Sequence, residues 1–124
     1  MQDRNIVIVV DDDPAILTGV GRLLRAQAYE PILFSSAAAF KSHTAVDTAV
    51  CVILDIDLGD VSGIEVRHRL KEANISVPVI YITGNDSPSV REAAHQSECL
   101  AYLTKPFSAN LLMEPLHRAA TGVA

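Results

Sequence analysis

The sequence predicts an α/β fold in which a doubly wound parallel sheet lies between layers of helices. Five short runs rich in β-branched residues recur along the chain, with helical stretches between them. These runs are continuously apolar, as strands are when helices cover both faces of a parallel sheet. Since crossovers between parallel strands are short and right-handed, the successive strand–helix units predict one doubly wound sheet.

The strands are predicted from compact apolar runs, each bounded by charged or turn-forming residues. The last run is the briefest of the set, and it predicts a short strand. The predicted strands are Ile6 to Val10, Pro31 to Phe34, Val50 to Leu54, Pro78 to Ile82 and Ala101 to Leu103.

Apolar residues at helical spacing predict the first three helices. A short Ala-rich helix is expected from Ser36, with Phe40 as its apolar anchor, and another from Gly63 to Ala73. The first helix of the chain has one apolar stripe, made of Ile16, Val20, Leu23 and Leu24.

Capping residues predict the last two helices. Ser87 precedes Pro88, which is a cap followed by proline at the first helical position, and this helix is expected to run to about Gln96. Ser108 is expected to open the last helix in the same way. Pro115 lies inside that helix and removes one backbone hydrogen bond, so we expect a kink or an early end there.

Composition favours a single domain that attracts cations. The chain has 124 residues, of which 49% are hydrophobic, and this is enough for one core. A net charge of -5 and a pI near 5.2 make contact with nucleic acid or an anionic membrane unfavourable. The apolar run before Asp11 is too short for a signal peptide or a membrane span.

The cysteines and histidines do not indicate a metal site. Cys51 and Cys99 lie far apart in apolar segments, which predicts two reduced, partly buried thiols in a cytoplasmic protein. The histidines are scattered without ligand spacing. They are His43, His68, His95 and His117.

Polar residues follow four of the predicted strands and should meet at one edge of the sheet. In doubly wound sheets, ligands bind beyond the carboxyl ends of the strands. The second strand ends in Phe34 and Ser35 and adds no such residue. The residues at this edge are Asp11 and Asp12 after the first strand, Asp55 and Asp57 after the third, Thr83 after the fourth and Lys105 after the fifth.

Carboxylates brought together at this edge would repel one another, by about 1 to 4 kcal/mol for each close pair. A divalent cation would turn this repulsion into attraction. Oxygen ligands with room for water suit Mg²⁺ or Mn²⁺ better than zinc. A cation beside a carboxylate, a hydroxyl and an ammonium group is suited to binding a phosphoryl group.

Each of these residues also has a purely structural interpretation. An aspartate pair after a strand often forms a turn or a helix cap, and Asp13, just before Pro14, is expected to cap the first helix. Thr83 alone could be a β-branched strand residue, and Lys105 alone a solvated charge. Their joint placement at successive strand ends favours function.

Four stretches together resemble the receiver domains of two-component response regulators: VVDDDP, VILDIDLGDVSG, VPVIYITG and AYLTKPF. The resemblance covers essentially the whole chain. It implies a flavodoxin-like three-layer sandwich of five βα units with strand order 2-1-3-4-5. The stretches ITG and LTKPF look most like the subgroup fused to a LuxR-type helix-turn-helix output domain. We expect residues 1–124 to be a single receiver domain without an output domain, either a stand-alone protein or part of a longer regulator.

The resemblance implies a role for each carboxylate at the sheet edge. Asp55 corresponds to the phosphoacceptor, which takes a phosphoryl group from a phosphohistidine on a sensor histidine kinase. Asp11 and Asp12 correspond to the acidic pair that binds Mg²⁺ together with Asp55. Asp57 corresponds to the residue that gives its backbone carbonyl to the metal.

The resemblance also implies a conformational switch. Thr83 and Lys105 correspond to the two phosphate contacts, and Tyr102 to an aromatic residue that reorients together with Thr83. The affected face consists of the fourth helix, the fifth strand and the fifth helix, which could form a phosphorylation-dependent homodimer. The Lys105–Pro106 bond is expected to be cis. Such a domain catalyses only its own phosphorylation and dephosphorylation, and it would regulate transcription through a separate DNA-binding domain without contacting DNA or a membrane itself.

Three residues depart from the family pattern. Gly59 stands where the family usually has proline, so we expect a looser loop after Asp55. Glu98 takes a place often filled by glycine and has no role predicted from the sequence. Pro115 lies in the helix expected to contribute to the output face.

Two other functions remain open at this point. The Asp-x-Asp of LDIDL also resembles haloacid-dehalogenase hydrolases, where Asp55 would be the nucleophile and the side chain of Asp57 the acid. Chain order argues against this enzyme, because its acidic pair comes last, whereas Asp11 and Asp12 come first here. The other alternative is a binding module that keeps the fold without being phosphorylated.

Overall fold

The computed structural model describes residues 5–41 and 46–122. Its parallel strands are β1 Ile6–Val10, β2 Glu30–Phe34, β3 Cys51–Asp55, β4 Val79–Thr83 and β5 Ala101–Thr104. They form a five-stranded sheet in the order β2-β1-β3-β4-β5. This order confirms the predicted doubly wound fold.

Helices follow the strands in alternation. Asp13 caps the first of them by accepting a hydrogen bond from the N–H of Ala15 at 2.9 Å, as predicted. Within the described ranges, no helix is long and apolar enough to cross a membrane. The helices are α1 Pro14–Ala26, α2 Ala37–Lys41, α3 Gly63–Glu72, α4 Pro88–Gln96 and α5 Ala109–Thr121, with a 3₁₀ turn at Val46–Thr48.

Two hydrophobic cores lie on opposite faces of the sheet. Alternate residues of β1 point to opposite sides, so Val7 and Val9 belong to one core and Ile8 and Val10 to the other. The core around Val7 includes residues of α1 and α5, and the core around Ile8 includes residues of α2, α3 and α4. Because helices cover both faces of the sheet, the part of it that a ligand could reach is the edge where the strands end.

Two residues expected just after the strands are in fact their last residues. Asp55 ends β3 and Thr83 ends β4, because the parallel pairing continues to Asp55 opposite Ile82 and to Thr83 opposite Thr104. The backbones of both candidate site residues are therefore fixed by sheet hydrogen bonding. This holds their side chains more firmly than a loop would.

The expectation of an early end at Pro115 is wrong. Helix α5 continues through Pro115 to Thr121 and ends at Gly122, which has a φ of 78°. Leu112 and Leu116, on either side of the proline, are fully buried against the sheet. This packing keeps both turns in place although one backbone hydrogen bond is lost.

The two cysteines are free thiols. Cys51 is fully buried in β3, deeper than the partial burial expected from the sequence, and Cys99 is half-buried before β5. Burial raises the pKa of Cys51 to about 12.

Gly63 allows α3 to start directly beneath the end of β3. Its N–H donates to the carbonyl of Ile56 at 2.8 Å. A Cβ at this position would overlap the backbone carbonyl of Asp55 and come within 3.0 Å of the Cα of Ile56. Both obstacles are backbone atoms that cannot rotate away, so the close approach requires glycine.

We expect Gly63→Ala to lower the free energy of unfolding by about 2 to 3 kcal/mol, because the added methyl overlaps backbone. Gly19→Ala in α1 is the matched control, since nothing lies within 4 Å of its Cβ position. It should raise stability by about 0.5 to 1 kcal/mol through helix propensity. Urea denaturation of both variants measures their free energies of unfolding. Equal values for the two would contradict the close approach at Gly63.

Candidate functional site

Three carboxylates converge where β1 and β3 end. Asp11 and Asp12 follow β1, Asp55 ends β3, and one oxygen of each lies within 4.8 Å of the others. Asp11 is fully buried and Asp55 is 2% exposed, whereas Asp12 is exposed to solvent. The structure thus brings together the side chains that the sequence predicts as metal ligands.

Asp11 has one oxygen without a hydrogen bond. Its Oδ1 accepts from the backbone N–H of Asp13 at 2.9 Å. Its Oδ2 is buried and accepts no hydrogen bond from any described residue, although Lys105 Nζ lies 2.9 Å away as an ion pair. A buried carboxylate oxygen with remaining acceptor capacity, in an all-oxygen cluster, fits Mg²⁺ or Mn²⁺.

Asp55 is held at both oxygens. Its Oδ1 accepts from the backbone N–H of Asp57 at 3.1 Å, and its Oδ2 from Lys105 Nζ at 3.4 Å. Burial and the neighbouring charge of Asp11 raise the pKa of Asp55 to about 6. Without a cation, this carboxyl therefore ionises less readily than an ordinary aspartate.

Lys105 bridges the two buried carboxylates. Its side chain is 20% exposed, and its ammonium lies 2.9 Å from Asp11 and 3.4 Å from Asp55. Burial lowers its pKa, but the contacts with Asp11 and Asp55 outweigh this, so the pKa of Lys105 is raised and the ammonium stays charged. The Lys105–Pro106 bond is cis, as expected.

The loop after β3 folds back on itself. Asp57 pairs with Ser62 in an isolated antiparallel bridge. Gly59 has a φ of 86°, which proline cannot adopt because its ring fixes φ near -65°. A Cβ on Gly59 would lie 3.6 Å from Asp12 Oδ2, so the loop passes close to the acidic cluster. Asp60 ties the loop to α2 by accepting from the N–H of Ala38 at 3.2 Å.

Thr83 is fully buried at the end of β4. Its hydroxyl donates to Asp57 Oδ2 at 3.0 Å and accepts from the N–H of Asn85 at 3.0 Å. Thr83, the predicted phosphate contact, is thus already hydrogen-bonded to the side chain of Asp57. In the receiver interpretation Asp57 acts through its backbone carbonyl, and this role stays a prediction; the hydrogen bond between its side chain and Thr83 was not expected from the sequence.

Tyr102 lies apart from the acidic cluster, on β5 beside α4. Its hydroxyl donates to Asp86 Oδ1 at 2.8 Å, and Arg91 contacts Asp86 Oδ2 at 2.6 Å. Sequence reasoning did not find Asp86 or Arg91. The one available signal is the acidic residue before the Ser-Pro cap followed by a basic residue one turn later.

Glu98, which had no role predicted from the sequence, shapes the turn before β5. Its φ is 64°, a conformation that favours glycine. Its carboxylate pairs with Lys71 on α3, and its backbone carbonyl accepts from the buried guanidinium of Arg67 at 3.3 Å. These contacts hold a non-glycine residue in the left-handed conformation.

Residues 7–117 match the family described as response regulator receiver domain. The chain belongs to the response regulator receiver family. This receiver domain is 30% identical over 120 residues to the response regulator protein TodT of Pseudomonas putida, covering 96% of the chain and 53% of TodT. It spans about half the length of the curated relatives it matches, TodT among them.

Solved structures support the same fold. The BeF3-activated receiver domain of DrrB, a Thermotoga maritima protein, is similar with a TM-score of 0.83 and 27% identity, covering 95% of this chain and 98% of that one. A CheY-like receiver domain from Methanospirillum hungatei has a TM-score of 0.86, with 98% of this chain and 97% of that one covered. Its 22% identity supports the fold alone.

Family membership shows the kind of module to which the chain belongs. A receiver domain is a signalling module of a two-component system that responds to phosphorylation and generally depends on Mg²⁺. It is not a metabolic enzyme, and the match to this family does not agree with the hydrolase alternative. The acidic cluster at the ends of β1 and β3 has the donor set that such a domain requires.

The raised pKa of Asp55 predicts a pH-dependent stability in metal-free protein containing EDTA. The ordinary value is 3.8 and the native value about 6, so the ionised group destabilises the native state above pH 6. This penalty is complete above about pH 6 and shrinks as the pH falls from 6 toward 3.8. Wild type should therefore gain on the order of 1 kcal/mol relative to Asp55→Asn between pH 7.5 and 5. Urea denaturation at several pH values measures the difference, and a constant difference would contradict the raised pKa.

Proposed function

We propose that Asp55 accepts a phosphoryl group from a phosphohistidine of a sensor histidine kinase, in a reaction that requires Mg²⁺. The observation that carries this proposal is the convergence of the Asp55 carboxylate with Asp11, Asp12 and Lys105, in which Asp11 and Asp55 are buried and Asp12 is exposed. Asp11, Asp12, Asp55 and the backbone carbonyl of Asp57 would hold the cation, and Mn²⁺ could replace it. The bound cation supplies positive charge against the carboxylates and the phosphoryl oxygens.

In the transfer step, one carboxylate oxygen of Asp55 forms a bond to phosphorus while the bond from phosphorus to the histidine nitrogen breaks. The electron pair of that bond stays on the imidazole. The N–H of Asp57 and the ammonium of Lys105 hold the carboxylate in place beforehand, at 3.1 and 3.4 Å. Such positioning removes much of the entropic cost of bringing the reacting groups together. Later hydrolysis by water breaks the bond between phosphorus and Asp55 and releases inorganic phosphate.

Lys105 and Thr83 would make the contacts that distinguish the phosphorylated state. Lys105 already lies against Asp55, so a short movement brings its ammonium to a phosphoryl oxygen. Thr83 would exchange Asp57 for the phosphoryl group as the acceptor of its hydroxyl proton. Contacts made only in the active arrangement shift a pre-existing equilibrium toward that arrangement. Tyr102 would reorient with Thr83.

The output would pass through the face formed by α4, β5 and α5. We propose that this face forms a homodimer after phosphorylation and that the signal regulates transcription through a DNA-binding domain of the LuxR type. With a net charge of -5, the chain is itself unsuited to contact DNA. We propose further that residues 1–124 act as one receiver domain, in the cytoplasm.

We expect wild-type protein to gain one phosphoryl group when incubated with Mg²⁺ and acetyl phosphate or phosphoramidate, as measured by intact mass. Asp55→Asn should gain none because the acceptor oxygen is replaced. Asp60→Asn is the matched control, since it changes an exposed carboxylate in the neighbouring loop, and it should still be phosphorylated. An unmodified wild type would support a binding module instead, and an unchanged gain in Asp55→Asn would place the modification elsewhere.

Mg²⁺ should raise the melting temperature of the wild type, because a ligand of the native state stabilises it by about 2.7 kcal/mol at 100 times its Kd. Asp12→Ala should lose most of this rise. Asp13→Ala is the matched control: it loses the cap of α1 and melts lower, by about 1 kcal/mol of stability, yet should keep the full rise. If Asp12→Ala keeps it as well, the cation binds elsewhere.

A further inference from the structure

Tyr102 is held by a cluster that joins three segments of the chain. Asp86 in the loop after β4 uses both carboxylate oxygens: Oδ1 accepts from the Tyr102 hydroxyl at 2.8 Å, and Oδ2 from Arg91 at 2.6 Å. The guanidinium carbon of Arg91 lies 5.4 Å from the centre of the Tyr102 ring. The loop, α4 and β5 are therefore linked through one carboxylate.

The contacts within this cluster restrain side-chain orientation and add little to the overall stability of the fold. The Asp86 side chain is 36% exposed and that of Arg91 is 53% exposed, and ion pairs this open to solvent stabilise a fold only weakly. Each partner nonetheless restrains the others: Arg91 holds the carboxylate, the carboxylate holds the phenol, and the guanidinium covers the ring. The cluster thus selects one rotamer of Tyr102.

The same loop is bound to Thr83 by its backbone. The N–H of Asn85, the residue next to Asp86, donates to Thr83 Oγ1 at 3.0 Å, while that hydroxyl donates to Asp57 at 3.0 Å. If the Thr83 hydroxyl turned toward a phosphoryl group, its hydrogen bond to Asp57 would break. The oxygen that accepts from the Asn85 N–H would then also move. Because Asn85 and Asp86 are consecutive, a shift of one moves the other.

We propose that Asp86 is a positioning residue that couples the hydroxyl of Thr83 to the orientation of Tyr102 and, with Arg91, holds the resting arrangement. The inference deepens the proposed function and rests on it. In the resting state, Thr83 is bound to Asp57 and Tyr102 to Asp86. Phosphorylation replaces the first contact, the loop moves, and Asp86 releases Tyr102 and Arg91. The face of α4 and β5 then changes because both elements lose a shared partner.

The test compares Asp86→Ala, Tyr102→Phe and the double variant with wild type. The first measurement is the rate of phosphoryl gain at Asp55 from acetyl phosphate with Mg²⁺, by intact mass. Each single variant should react about three- to five-fold faster than wild type, because one hydrogen bond that favours the resting state is lost. The double variant should be no faster than the faster single variant, since both changes break the same contact.

Glu92→Ala is the matched control. It removes one exposed carboxylate from α4, which accepts a hydrogen bond from Gln96 at 3.4 Å, and should leave the rate unchanged. A second measurement needs no phosphorylation: the methyl NMR resonance of Thr83 in metal-free protein should shift in Asp86→Ala and stay in place in Glu92→Ala. Tyr102→Phe, which loses only a hydroxyl, tests the same contact should Asp86→Ala fold poorly.

The outcomes separate the two proposals. Equal rates in wild type, Asp86→Ala and Tyr102→Phe, with Asp55 still phosphorylated, would overturn the coupling and leave the proposed function standing. The coupling would also be overturned if the rate increase of the double variant equalled the product of the increases of the two single variants. If wild type gains no phosphoryl group, the proposed function fails, and the Thr83 resonance alone then supports or overturns the coupling between Asp86 and Thr83.

Discussion

The repulsion between Asp11 and Asp55 is the constraint on which the rest of the site depends. Parallel pairing of β1 with β3 places the ends of the two strands side by side, and both carboxylates are withdrawn from water. Lys105 neutralises only part of this charge, because one ammonium faces two buried carboxylates and Asp12 adds a third nearby. The remaining negative charge must be met by a proton or a cation. In the function proposed above, a bound cation would relieve this unfavourable charge.

The sequence was sufficient to predict the sheet and the residues at its edge, for a physical reason. A strand buried on both faces is continuously apolar, so β1, β3 and β4 stand out in composition, and the first polar residue marks where each apolar run ends. The order of strands and polar residues was therefore enough to place Asp11 and Lys105 at the same edge of the sheet, although none of their contacts was known. The exact strand ends at Asp55 and Thr83 depend on pairing with the neighbouring strand, which composition does not show.

Contacts between distant segments were not predictable. Asp86 and Arg91 are five residues apart, but their shared partner Tyr102 lies on another strand, and only the fold brings the three together. The hydrogen bond from Thr83 to Asp57 depends likewise on the path of the loop after β3. At Pro115, local propensity predicted a kink or an early end. The helix does not end there, because burial of the neighbouring turns contributes more to a helix than one hydrogen bond.

Gly59 has a consequence for the thermodynamics of cation binding. A proline would restrict the loop before binding, whereas a glycine leaves the free loop more conformations to lose when it becomes ordered. The loop passes beside Asp12 and bears Asp57. For the cation site proposed above, any further restriction of this loop on binding would therefore cost more entropy than in a receiver domain with proline at this position.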